Sequence, residues 1–288
     1  MEQKYKCLST SIFCSASHWN HVLNEIALFL HKMQLEDQNS FFLQFNYQGG
    51  ENIRWALFIP ADQVDNFTRQ IDDHFNYFFS KANLPLTKSS TSVETDLLPF
   101  PQNSIQYGLY RPVYSDGFGT LQDFGIRSSL SWLMIEALAS DNIDDETILT
   151  FTFYLHIALI KLMLTRGLAS LTELRNIHIY NYMPIGDPLT IKKVEDNRER
   201  IFEMANDIIN PAKEDDVPIW LQKWMDRCDT EIRKELPYPY TKKNELHYRR
   251  LIYHLHIQLG ITVNMESLLL FFLYQVFRSD ILEEMYTI

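Results

Sequence analysis

The run from Phe41 to Pro60, FFLQFNYQGGENIRWALFIP, leaves this chain few choices of fold. Two stretches of alternating character flank Gly49-Gly50, a pattern that specifies a β-hairpin. Phe41, Leu43, Phe45 and Tyr47 share one face of the first strand. Ile53, Trp55, Leu57 and Ile59 share one face of the second, because side chains alternate along a strand. A slip of one residue would turn every side chain over, so burial restricts the register. A two-residue loop at Gly49-Gly50 sets Phe45 opposite Arg54 and mixes the faces. A three-residue loop, Gly49-Gly50-Glu51, pairs Phe45 with Trp55 and Leu43 with Leu57, and is the register expected here. Gln44, Asn46, Arg54 and Ala56 then lie on the opposite face, with Phe42 and Phe58 beyond them and Arg54 facing Asn46.

The flanking sequence extends the hairpin into a layer. Tyr5 to Cys14 reads as a strand. Ser17 is a candidate N-cap for a helix carrying Trp19, Val22, Leu23, Ile26, Leu30 and Met33 at helical spacing. Asp62 is a candidate cap for a second helix with Val64, Phe67, Ile71, Phe75 and Phe78. A Pro-, Ser- and Thr-rich loop over 83–102 leads to a strand at Ser104–Arg111. The order β-α-β-β-α-β is that of a ferredoxin-like split βαβ unit. Beyond Pro112 the periodicity is helical. Helices are expected at Leu121–Ser140, Asp144–Arg166, Ile191–Ile209, Ile219–Glu235, Glu245–Gly260 and Met265–Met285, punctuated by prolines. The fold class is therefore α+β: a ferredoxin-like region at 1–112, and a helical region at 113–288 packed on the open sheet face.

Charge narrows the partners. With 26 basic and 37 acidic residues the net charge is −11. A direct nucleic-acid partner is not expected, since such binding needs a basic surface. Cys7, Cys14 and Cys228 have no metal-ligand spacing, and so few cysteines suit a reducing compartment. The N-terminal stretch lacks the apolar core of a signal peptide. A cytoplasmic location follows as the expectation. The longest apolar run, Ile148–Leu164, carries His156 and Lys161 and reads as a buried helix, so no membrane span is expected.

The helix Glu245–Gly260, ELHYRRLIYHLHIQLG, is the second informative stretch. Tyr248, Leu251, Ile252, Leu255 and Leu259 make its apolar stripe. His247, Arg250 and His254 adjoin it on one side, and Arg249, Tyr253 and His256 on the other. A histidine that titrates near neutrality can act as general acid or base, although an ordinary hydrogen-bonded helix edge gives the same pattern. His254 and His256 point about 200° apart on a helix, which is poor geometry for chelation. Neither a phosphate-binding loop, a dinucleotide fingerprint nor a nucleophile elbow is present, and no cofactor is expected.

The hairpin FFLQF…NIRWALFIP and the run His254-Leu255-His256-Ile257-Gln258-Leu259 with Glu266 resemble the C-terminal domain of lantibiotic dehydratases. The same domain occurs as the stand-alone thiopeptide-type bacteriocin biosynthesis protein. The resemblance extends over nearly the whole chain. It implies a protein that acts on a ribosomally made precursor peptide, a leader followed by a Ser/Thr/Cys-rich core. Its reaction would be elimination of glutamate from glutamylated Ser or Thr, a lyase activity, with a separate glutamylating dehydratase subunit as partner. Arg54 and His254 match the family's catalytic Arg and His. Gln44, Asn46, Asn52, Arg250 and Gln258 are the expected substrate contacts. The departures are large: Gln44, Asn52 and Ala56 stand where the family has Arg, His and Arg, and Gln258-Leu259 replaces Asn-Arg. Two alternatives therefore stay open: a pyridine synthase joining two dehydroalanines in a formal [4+2] cycloaddition, and a non-catalytic subunit that binds peptide or partner.

Overall fold

The computed structural model describes residues 5–35, 41–86, 99–110, 121–140, 142–179, 192, 195–213, 216–235, 242–279 and 282, with the backbone alone at 121–124, 231–235, 242–244 and 247. The chain forms two compact units, 1–144 with 257–260, and 145–256 with 261–288. The first helix after the sheet packs with the sheet and groups with it.

In the first unit the chain runs β1 (Tyr5–Phe13), α1 (Trp19–Lys32), β2 (Phe41–Asn46), β3 (Asn52–Pro60), α2 (Val64–Ala82), β4 (Ser104–Tyr107) and α3 (Leu121–Leu138). The four strands form one antiparallel sheet in the order β2-β3-β1-β4. The hairpin register corrects the expectation by two residues. Phe45 pairs with Ile53, Leu43 with Trp55, and Gln44 with Arg54. The loop is longer than three residues: Asn46 pairs with Asn52, and the chain turns between them. The faces survive because a shift of two preserves alternation. Arg54 consequently faces Gln44, and Asn46 faces Asn52.

Neither expected cap is used. A 3-10 turn at Ala16–His18 precedes α1, and another at Ala61–Gln63 precedes α2; no side chain caps either helix. Instead the Glu51 carboxylate, from the hairpin loop, accepts from the Ala16 amide at 2.8 Å. An anion at the exposed donors of a helical turn is favourable.

The core of this unit lies between α1, α2 and the Trp55 face. Trp19 stacks on Phe45 at 4.5 Å, and Trp55 meets Phe29 and Phe75 edge-on. Trp19, Phe45 and Trp55 are fully buried. On the sheet edge, the outward Leu43 amide donates to Ser131 Oγ of α3 at 2.8 Å. Phe41 packs edge-on against Trp132 of the same helix. An edge strand is a template for unwanted pairing unless something covers it. Here α3 does so, together with residues 257–260. Gln258 Nε2 donates to Ser131 Oγ and to the Arg127 carbonyl, at 2.8 and 2.7 Å. Gly260 sits so close that a Cβ there would lie 2.9 Å from the Phe45 carbonyl oxygen, and its φ is +67°. Only glycine meets both demands cheaply.

The second unit is helical: α4 (Asp145–Thr165), α5 (Leu171–His178), α6 (Arg198–Ile209), α7 (Ile219–Glu235), most of α8 (Lys242–Gln258) and α9 (Val263–Phe277). α4 is apolar around its whole circumference and is buried against α6, α7 and α9. That is what an all-round apolar helix requires. By length and composition it could also cross a membrane, and it is the one described helix of which this holds. α8 closes with a glycine-terminated motif: the Ile261 amide returns to the His256 carbonyl, and Gly260 to Ile257. α5 was not foreseen in the sequence.

Candidate functional site

On the sheet face turned away from α1 and α2, Arg54 projects from β3. Its Nη2 donates to Gln48 Oε1 at 2.8 Å, and its guanidinium lies 5.0 Å from the centre of the Tyr110 ring. Arg127 of α3 stacks 4.4 Å above Phe42 on the same face. Burial pushes the Tyr110 phenol well up, Cys7 adds to that, and the charges of Arg54 and Arg127 pull it back. Among the described residues the buried Tyr110 hydroxyl has no hydrogen-bond partner. Two guanidinium groups thus lie close enough to one phenol to act on its charge, and Arg127 is itself buried. Arg127 and Tyr110 were missed in the sequence. Arg127 sits on a helix whose apolar face gave it no distinction, and Tyr110 lies just past the last strand.

The other expected residues divide sharply. Gln44 is buried opposite Arg54. Asn46 and Asn52 hold the hairpin loop together: Asn46 Oδ1 accepts from the Gln48 amide, and Asn52 Nδ2 donates to the carbonyls of Gly50 and Gln48. Gln258 is spent, at its nitrogen, on the clasp with α3. Arg54 belongs to the first unit, and Arg250 and His254 to the second. His254 is buried on α8, with Tyr253 beside it, while Arg250 is partly exposed.

The second unit holds a denser arrangement. His156 of α4, His178 of α5 and His256 of α8 are all buried. His256 Nδ1 lies 3.2 Å from Glu266 Oε1, and its Nε2 lies 2.9 Å from His156 Nε2. His156 Nδ1 lies 2.9 Å from His178 Nδ1, whose Nε2 lies 2.9 Å from the Tyr248 hydroxyl. Burial, then the neighbouring imidazoles, hold His156 well below the usual histidine range. Burial, then His256 and Arg249, bring His178 down to about 3. The hydrogen bond from His256 lowers the Glu266 carboxyl. The sequence drew attention to His256, Glu266 and Tyr248 one at a time. Their connection runs through His156 and His178, far away in the chain. Among the described residues, no three His, Cys, Asp or Glu converge as metal ligands.

No protein-family model matches the chain, and no curated protein matches it by sequence. Solved structures do. "Pyridine synthase, TbtD, from thiomuracin biosynthesis" superposes with a TM-score of 0.65 at 15% identity, over 97% of this chain and 99% of that one. TsrL superposes with a TM-score of 0.60 at 14% identity, over 99% of this chain and 96% of that one. The chain has the fold of these two proteins. At such identities the likeness establishes the fold and leaves the chemistry to the residues.

Proposed function

We propose that the chain acts on a ribosomally made precursor peptide in a thiopeptide-type pathway, and that its reaction is the pyridine-synthase kind, joining two dehydroalanines. In this reading the sheet layer is a ferredoxin-like split βαβ unit and the protein works in the cytoplasm. The end-to-end match with a pyridine synthase, over 97% of this chain and 99% of the other, supports the fold, and the residues carry the choice of reaction. They support the pyridine-synthase reaction against elimination. A site that expels glutamate has to hold carboxylates, for which arginine is the best-suited side chain. Gln44, Asn52 and Ala56 stand where the dehydratase family carries two arginines and a histidine, and Asn52 is already bonded within its own turn. Arg54 supplies donors for a substrate oxygen in either chemistry.

Elimination remains the second reading, because Arg54 and His254 keep the two family positions that chemistry needs. In it, a separate glutamylating protein prepares the peptide and this protein removes the glutamate.

One measurement separates the readings. Dehydroalanine adds thiols, so mass spectrometry after thiol trapping counts dehydroalanines in a peptide. Incubation with a dehydrated peptide is expected to lower that count by two, with Arg54→Ala slowing the loss. If the count instead rises on a glutamylated peptide, the protein is an eliminating lyase. If neither peptide changes while both bind, the protein is a binding subunit and the enzymatic proposal fails.

A further inference from the structure

Five side chains of the helical unit form one unbroken hydrogen-bonded file: Glu266, His256, His156, His178 and Tyr248. Both ring nitrogens of all three histidines are used. Tyr248, His156 and His178 are at most 3% exposed, whereas the Glu266 side chain is 49% exposed. The file therefore leads from the surface into the interior.

Proton counting leaves the file two senses. Burial keeps His156 and His178 neutral at neutral pH, so each has one N–H and one lone pair. An ionised Glu266 can only accept. His256 must then donate from Nδ1 to Glu266. In the first sense it accepts at Nε2 from His156, His156 accepts at Nδ1 from His178, and His178 accepts at Nε2 from the Tyr248 hydroxyl; in the second an imidazolium at His256 donates to His156 instead and the inner links turn round. The four links of the first sense are filled by four protons, one each from Tyr248 and the three histidines, with none left over. In the first sense every hydrogen bond points toward Glu266, and no imidazole of the file carries a charge.

We propose that this file is a proton relay, which takes up a proton at Tyr248 and releases one through Glu266. A proton arriving on the Tyr248 oxygen displaces the phenol's own proton to His178 Nε2. His178 passes its Nδ1 proton to His156, His156 its Nε2 proton to His256, and His256 its Nδ1 proton to Glu266, from which it leaves to water. One proton enters and one leaves, and no imidazolium forms in the interior, where its charge is costly. The neighbouring charge does not interrupt this. Arg249, beside His178, is turned to Glu245 and to the carbonyls of Asn176 and Ile177. Phe277 from α9 flanks His178 without adding a charge.

The relay is independent of which peptide reaction is catalysed, and its test needs no substrate. Nitrogen-15 imidazole spectra at neutral pH distinguish the tautomers. The expected wild-type pattern is Nδ1–H on His256, Nε2–H on His156 and Nδ1–H on His178. Glu266→Lys replaces the acceptor with a group that only donates. It should reverse all three tautomers, including His178, which the substituted residue does not touch. A folded Glu266→Lys protein in which His178 keeps Nδ1–H overturns the relay. Should that variant not fold, the wild-type pattern still decides: an imidazolium at any of the three histidines, or any other tautomer order, overturns it.

Discussion

Trp55 joins the three elements that make the sheet layer a layer. Its indole lies on β3, pairs across the hairpin with Leu43, and meets Phe29 of α1 and Phe75 of α2. With no exposure at all, it has no solvent to relax into. Trp55→Ala should lower stability by about 3–5 kcal/mol, read as a shift in the denaturant midpoint with the slope unchanged. A loss under about 1 kcal/mol would mean the pocket collapses around the smaller side chain. The burial of Trp55 was legible from alternation alone. The pairing was not, because loop length depends on what holds the loop. Here Asn46 and Asn52 bond to the backbone between them and lengthen the turn. A shift of two keeps the faces and changes every neighbour, so Arg54 kept its face but met Gln44 instead of Asn46. A comparable limit applies at His256. Its helix position could be read from the sequence, but its partner His156 is a hundred residues away in the chain and on another helix.

Among the elements, α4 and α5 carry the acid sensitivity of the helical unit. His178 falls from 6.5 to about 3, chiefly on burial, and His156 is held well below the same starting value. A base with a lowered folded pKa is neutral in both states above the unfolded value, so nothing is lost there. As pH drops below about 6.5 the unfolded chain takes up protons that the folded chain refuses, and stability falls until the folded pKa is passed. His178 alone should cost roughly 4–5 kcal/mol by pH 3, at about 1.4 kcal/mol per pKa unit. Thermal melts from pH 7 to pH 4 should show the loss, and His178→Gln should flatten it. An unchanged slope in that variant would assign the acid sensitivity elsewhere. Most of the helices were readable because their apolar residues recur every three or four positions, and α4 was readable as a long apolar run. α5 was overlooked although Ser170 and Glu173 form a capping box, a signal that lies in the polar residues instead of the apolar ones.

For the molecule as a whole, the net charge of −11 weighs against a nucleic-acid partner. Binding to transfer RNA should be weak at moderate salt, which a fluorescence titration with glutamyl-tRNA can measure. Submicromolar affinity that collapses as salt is raised would reveal a basic groove that the charge balance conceals. The residues that complete the sheet unit are scattered through the sequence in a way that also matters for synthesis. Gln258 and Gly260, which back α3 and the β2 edge, belong with residues 1–144 but are separated from them by the whole of 145–256. A ribosome adds roughly 5–20 residues per second. The amino-terminal sheet therefore waits several seconds, outside the exit tunnel, for its last supporting segment. During that interval α3 alone covers the β2 edge, without Gln258 and Gly260 behind it. A chaperone that recognises extended apolar segments would find its opportunity there, and a fragment stopped at residue 144 would never leave that state.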